Sequence, residues 1–182
     1  MRSDQIAALS TAQIAALPTD DLTALGTMHF LALGSQQVAA LKADQLAAME
    51  IEDLRALRPA ALRGLAPASL AALNDEQLQA FASEQISNLN STQLLALDSR
   101  QLPIFIGEDL AALSTSMLRV IDGDRFSAFD VSQLQALRTA QVASLSSQAL
   151  LTLDATELNA LSTEQLGALS SAQIRFIEPT EL

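Results

Sequence analysis

The chain has 182 residues, 21 of them acidic and 10 basic, with a net charge of −11, one His and no Cys. That balance argues against nonspecific nucleic-acid binding, which needs clustered Lys and Arg, and against attraction to anionic membrane surfaces. It also removes disulfides, thiolate metal sites and any Cys/His dyad.

From the N-terminus onward, every eighth residue is large and apolar: Ile6, Ile14, Leu22, Phe30, Val38, Leu46, Leu54 and so on to Leu182. A second series runs three residues later, from Leu9, Leu17 and Leu25 to Ile177. Neither series is interrupted, so the chain is a tandem octapeptide array. Octad 1 is taken as 2–9, and positions five and eight carry the two series.

Three local structures compete. A continuous helix advances 800° in eight residues, so its apolar stripe would drift around the axis and leave no face to bury. A β-solenoid would put positions five and eight on opposite faces of a strand, and the Ala, Leu and Gln content disfavours it. A short helix per octad puts the two positions on one face.

The remaining positions fit the third reading. Position one is Ser, Asp, Asn or Gly in 13 of 23 octads, as an N-cap should be. Pro59, Pro67 and Pro179 stand at position two, the first helical residue, where proline costs no hydrogen bond. Gln at position four can bond back to the cap N–H, and Ser10–Gln13, Ser162–Gln165 and Ser170–Gln173 form complete capping boxes. Ala at position seven, in 15 of 22 octads, allows a neighbouring helix to come close. Each helix should run about seven residues and be too short to stand alone.

The predicted fold is therefore all-α: an α-solenoid of about 22 tandem octapeptide units, one short helix per octad, forming a single domain over residues 1–182. Position four adds a longer period. Gln is concentrated in the first two octads of each four, and position six is mostly Ala in that pair and bulkier or polar in the other. This 32-residue superperiod favours four helices per coil; the alternative is a two-helix hairpin solenoid duplicated every 32 residues.

Candidate chemistry is sparse. His29 replaces Gln at position four and reads as a surface or capping residue. Asp122, Asp124 and Asp130 lack EF-hand spacing and fall at caps or in first turns, where the helix dipole favours carboxylates. No catalytic, metal-binding or cofactor-binding residue is assigned, and no cofactor is expected. Octads 13–17 are the least regular. Ile104 and Val120 replace Ala at position seven, Ile106 stands at a cap and Val131 follows one, with Phe105, Phe126 and Phe129 nearby. Two readings stay open: a locally thicker core, or an exposed interaction patch made of these seven residues.

The string Leu9-Ser-Thr-Ala-Gln-Ile-Ala-Ala-Leu17 and its echo Leu161-Ser-Thr-Glu-Gln-Leu-Gly-Ala-Leu169 resemble the Leu-(Ser/Thr)-(Ser/Thr)-x-Gln-(Ile/Leu)-x-Ala-Leu octapeptide repeats of large proteobacterial adhesin- and haemagglutinin-like proteins. The resemblance runs the length of the chain and implies a bacterial source and a surface or secreted setting.

The expected function is non-enzymatic: a structural or interaction repeat protein acting as spacer, adhesin segment or protein-binding scaffold. The alternative is an acidic rod that regulates by binding a basic protein surface, as a DNA mimic would. Expected partners are another protein, or the chain itself through its ends or through the irregular central octads, with no nucleic acid and no membrane insertion. Octad 1 is as regular as an interior unit, which points to end-to-end pairing or to a piece of a longer array. No secretory signal or transmembrane segment is evident, which leaves a cytoplasmic setting or a surface one within a larger protein.

Overall fold

A computed structural model describes residues 2–177; Pro179 and Leu182, both members of the sequence series, lie outside the described residues. The protein is all-helical, with 62% helix and no strand among the described residues. Among the described residues one short α-helix forms in each octad except 98–105, as the spacing predicts, but each is four to six residues long rather than seven.

The shortening has a cause at position eight. Its N–H bonds back to the position-five carbonyl, a three-residue closure seen in Leu17 N to Ile14 O at 3.2 Å and Leu145 N to Val142 O at 3.1 Å. Where the helix reaches position seven, position eight turns extended; Leu17 has φ −61° and ψ 127°. Caps form where Ser, Asp or Asn was expected to supply them. Ser10, Asn74, Asp130 and Ser162 each accept the N–H of the residue three ahead, and the three predicted capping boxes are complete.

Residues 1–96 and 97–182 are two compact units. In the first, the helices stack in three columns. One holds α1 (Ser3–Ala7), α4 (Thr27–Ala32), α7 (Ile51–Ala56) and α10 (Asp75–Gln79). The second holds α2 (Thr11–Ala16), α5 (Ser35–Ala39), α8 (Pro59–Leu62) and α11 (Ser83–Ser87). The third holds α3 (Thr19–Thr23), α6 (Ala43–Ala47), α9 (Pro67–Ala71) and α12 (Ser91–Ala96).

The second unit begins with a 3₁₀ turn, Leu102–Ile104, where Pro103 removes a backbone donor and blocks an α-helix. Its helices α13 (Gly107–Ala112), α16 (Val131–Ala136) and α19 (Ala155–Ala160) form one column. Helix α14 (Thr115–Leu118) stacks with α17 (Thr139–Val142) and α20 (Thr163–Gly167), and α15 (Gly123–Phe126) with α18 (Ser147–Leu150). The last described helix is α21 (Ser171–Ile174).

Within each unit the strongest helix-to-helix packing among the described residues is between helices three octads apart, not between successive ones. The hairpin alternative is therefore not the one adopted. The four-octad period is real but lies elsewhere, in side-chain hydrogen bonds. Position-five residues form the centre of each unit, and nearly all are fully buried, from Ile6 at 1% exposed to Leu150 at 1%. Position seven is the close-approach point at Gly64, where a Cβ would sit 2.0 Å from the Ser35 carbonyl oxygen in α5.

Candidate functional site

A helix of five residues satisfies almost none of its own backbone groups, since the first four N–H and last four C=O of any α-helix lack internal partners. Buried ends of this kind must find donors and acceptors elsewhere. Position four solves the problem twice over. In Gln141, Oε1 accepts the Arg138 N–H at 2.7 Å, closing the start of its own helix. Its Nε2 donates to Leu110 O and Leu113 O, both at 2.8 Å, closing the end of the helix four octads earlier.

The same bridge recurs throughout. Gln37 Nε2 reaches Ile6 O and Leu9 O at 2.9 Å, and Gln45 reaches Ile14 O and Leu17 O at 2.9 Å. Gln93 donates to Leu62 O and Leu65 O at 2.7 Å, and Gln165 to Leu134 O and Leu137 O at 3.0 and 2.7 Å. Gln77, Gln85, Gln133 and Gln173 do likewise. The residues are correspondingly hidden: Gln93 and Gln141 are 0% exposed. The sequence shows the cap and not the bridge, because nothing in a single octad reveals which carbonyls lie beneath it.

Arginines stand in where Gln is missing. At position four of its octad, Arg125 donates from Nε to Leu97 O at 2.9 Å, the same 28-residue step, while its guanidinium also holds the Asp122 carboxylate. In the octad of Ala61, Arg58 donates to Leu33 O at 2.9 Å instead. His29 acts as the expected cap, its Nδ1 accepting the Gly26 N–H at 3.0 Å.

The seven residues of the irregular octads do not form one surface. Phe105, Phe126 and Phe129 are at most 3% exposed and belong to the core, where Phe126 and Phe129 meet edge to face with centroids 5.5 Å apart. They occupy positions five and eight, so their bulk goes inward with the Leu series. Ile106 and Val120 are exposed, at 60% and 38%, while Ile104 and Val131 are half-buried. Other exposed apolar side chains include Met28 and Leu31 in one octad, and Leu95 and Leu151 in two others.

Of the acidic residues singled out in the sequence, Asp122 and Asp130 serve as caps, accepting from Arg125 N and Gln133 N, and Asp124 lies in the first turn. No group of three His, Cys, Asp or Glu side chains is close enough to hold a metal ion among the described residues, and no helix is long and apolar enough to cross a membrane. Two carboxyls depart from their ordinary range. Asp53 is raised, first by burial and then by Glu50 and Glu52; Asp98 is lowered, chiefly by the backbone N–H groups of Arg100 and Gln101.

The ALTTAQ repeat family matches residues 14–51 and again residues 46–83. The chain is a repeat protein. The two matches start and end 32 residues apart, the step at which position four repeats and the amide bridge returns to the octad four places away. Comparison with curated proteins gives no match.

Proposed function

We propose that the protein is a non-enzymatic structural and interaction repeat, serving as a spacer, adhesin segment or protein-binding scaffold. The buried amide bridge carries this reading. The polar side chains that could present chemistry at position four are consumed in holding the chain to itself. What remains outside is a set of first-turn carboxylates and scattered apolar residues. Such an array is built to keep a fixed spacing, and its length should change in steps of one bridge period.

The test is a deletion series in the full chain, with fluorescent labels at Ala8→Cys and Glu84→Cys. Removing residues 42–73, one 32-residue period, should leave a cooperatively folded protein whose labels are closer together. Removing residues 42–69 breaks the octad register and should unfold the first unit. If both deletions fold equally well, or neither does, the spacer reading fails.

A second reading rests on the net charge of −11 and on exposed first-turn acids such as Glu52, Asp75, Glu76, Glu108 and Glu164. An acidic repeat of this kind would bind a basic protein surface. That binding should weaken steeply between low salt and about 0.5 M, because exposed charges are screened beyond a Debye length of a few ångströms there. Salt-insensitive binding, or none, counts against it.

A further inference from the structure

Asp53 occupies position four of octad 7, the place from which Gln reaches back four octads in nine other units. By the same 31- and 28-residue steps, its counterparts are the carbonyls of Leu22 and Leu25. The residue is 4% exposed, and among the described residues its carboxyl makes no hydrogen bond and still reaches solvent. An ionised carboxylate has acceptors only, so it cannot serve those carbonyls. No ion pair to its carboxyl is present among the described residues. Within its own octad lie Glu50, Glu52 and Arg55, and the Arg55 Nε is committed to Ala80 O at 3.1 Å. The packed neighbours bring His29 on α4 and Asp75 and Glu76 on α10, and octad 3 carries Asp20 and Asp21. The ion pairs Arg2–Asp4 and Arg125–Asp122 do not reach Asp53.

We propose that the joint between octads 3 and 7 is an acid-tightened clasp, in which Asp53 with a proton on its carboxyl group donates to the Leu22 or Leu25 carbonyl and makes the bridge that Gln makes in other coils. The proton comes from solvent and stays on the carboxyl oxygen, so no bond other than O–H forms. Its raised titration range in the folded chain agrees with this direction. The sign follows from linkage. A carboxyl that binds its proton more tightly when folded stabilises the fold fully below the ordinary Asp value near 3.8, and that stabilisation is lost as pH rises through the folded value. Acid therefore strengthens the first unit at this joint, where carboxylates ordinarily make proteins weaker.

The experiment is hydrogen exchange on the full chain at about pH 4.5 and about pH 7, read as protection factors of the amides in octads 3 and 7. In the wild type, protection should rise on acidification, by up to about tenfold for each pH unit by which the Asp53 midpoint is raised. Asp53→Gln should show the high protection at both pH values, and Asp53→Asn should lose the pH response. The proposal is overturned if Asp53→Asn responds to pH as the wild type does, or if Asp53→Gln is less protected than the wild type at about pH 7. Carbon-13 titration of the wild-type Asp53 carboxyl stands independently of how the variants fold, and a midpoint at or below the ordinary Asp value also overturns it.

Discussion

Gln141 Nε2 lies 2.8 Å from the carbonyl oxygen of Leu113, a residue 28 positions earlier, and this single amide ties the start of α17 to the end of α13. Replacing it with Leu strands the Arg138 N–H and takes one donor each from the Leu110 and Leu113 carbonyls, which keep the Leu113 N–H and the Arg138 guanidinium as partners. A polar group left unpaired costs about 1–3 kcal/mol, so Gln141→Leu should lose about 1–3 kcal/mol in urea unfolding. An unchanged midpoint would show that the bridge contributes nothing.

Leu73 tests the core rather than the bridge. It is 2% exposed at position eight, and Leu73→Ala should cost about 2–5 kcal/mol through the cavity it leaves. Because coupling in a stacked array is between neighbours, hydrogen exchange should rise first in the adjacent coils and only later elsewhere.

The close approach at position seven makes Gly64→Ala more damaging than its size suggests. The added Cβ would lie 2.0 Å from the Ser35 carbonyl oxygen and 2.9 Å from its carbon, so backbone must move. Overpacking of this sort costs about 1–3 kcal/mol, whereas Gly167→Ala, with nothing within 4 Å, should be neutral or stabilising. Thermal melts of the two variants compare them directly.

The octad, its helix and its buried face are legible in the sequence because they depend on spacing within eight residues. The capping boxes are legible for the same reason: Ser10 and Gln13 are three apart. What lies across coils is not. The expected four-sided coil divides into two relationships, helix packing at three octads and the Gln bridge at four, and the position-four superperiod reports only the second. The chain carries no local mark of which carbonyl will face Gln93 or Gln141. Position seven shows the same limit: Ala72, a regular member of its series, is exposed, and the tightest contact falls instead at Gly64. Aromatic residues in the irregular octads are equally ambiguous from spacing alone. Phe126 and Phe129 fill the core because they keep the apolar register, while Ile106, which breaks it, is exposed.

Asp98 gives a pH prediction opposite in sign to that of Asp53. Its Oδ1 accepts from Arg100 N at 2.8 Å and Gln101 N at 3.0 Å, which holds the carboxyl below its ordinary range. A depressed folded value means that its stabilisation is present above the ordinary Asp value of 3.8 and is lost as pH falls through the folded value. Acidification below about pH 4 should loosen the 3₁₀ turn at Leu102–Ile104, seen as faster exchange of the Arg100 and Gln101 amides. Asp98→Asn should remove that pH dependence.

Side-chain amide exchange of the glutamines tests the central claim most directly. Gln93 and Gln141 are 0% exposed and bridge two helices, whereas the Gln5 and Gln13 amides serve only their own caps, Arg2 N and Ser10 N. In nitrogen-15 spectra after transfer to heavy water, the Nε2 protons of Gln93 and Gln141 should persist as long as the slowest backbone amides, and those of Gln5 and Gln13 should vanish at once. If all four exchange at the same fast rate, the coils are not held together by position-four amides.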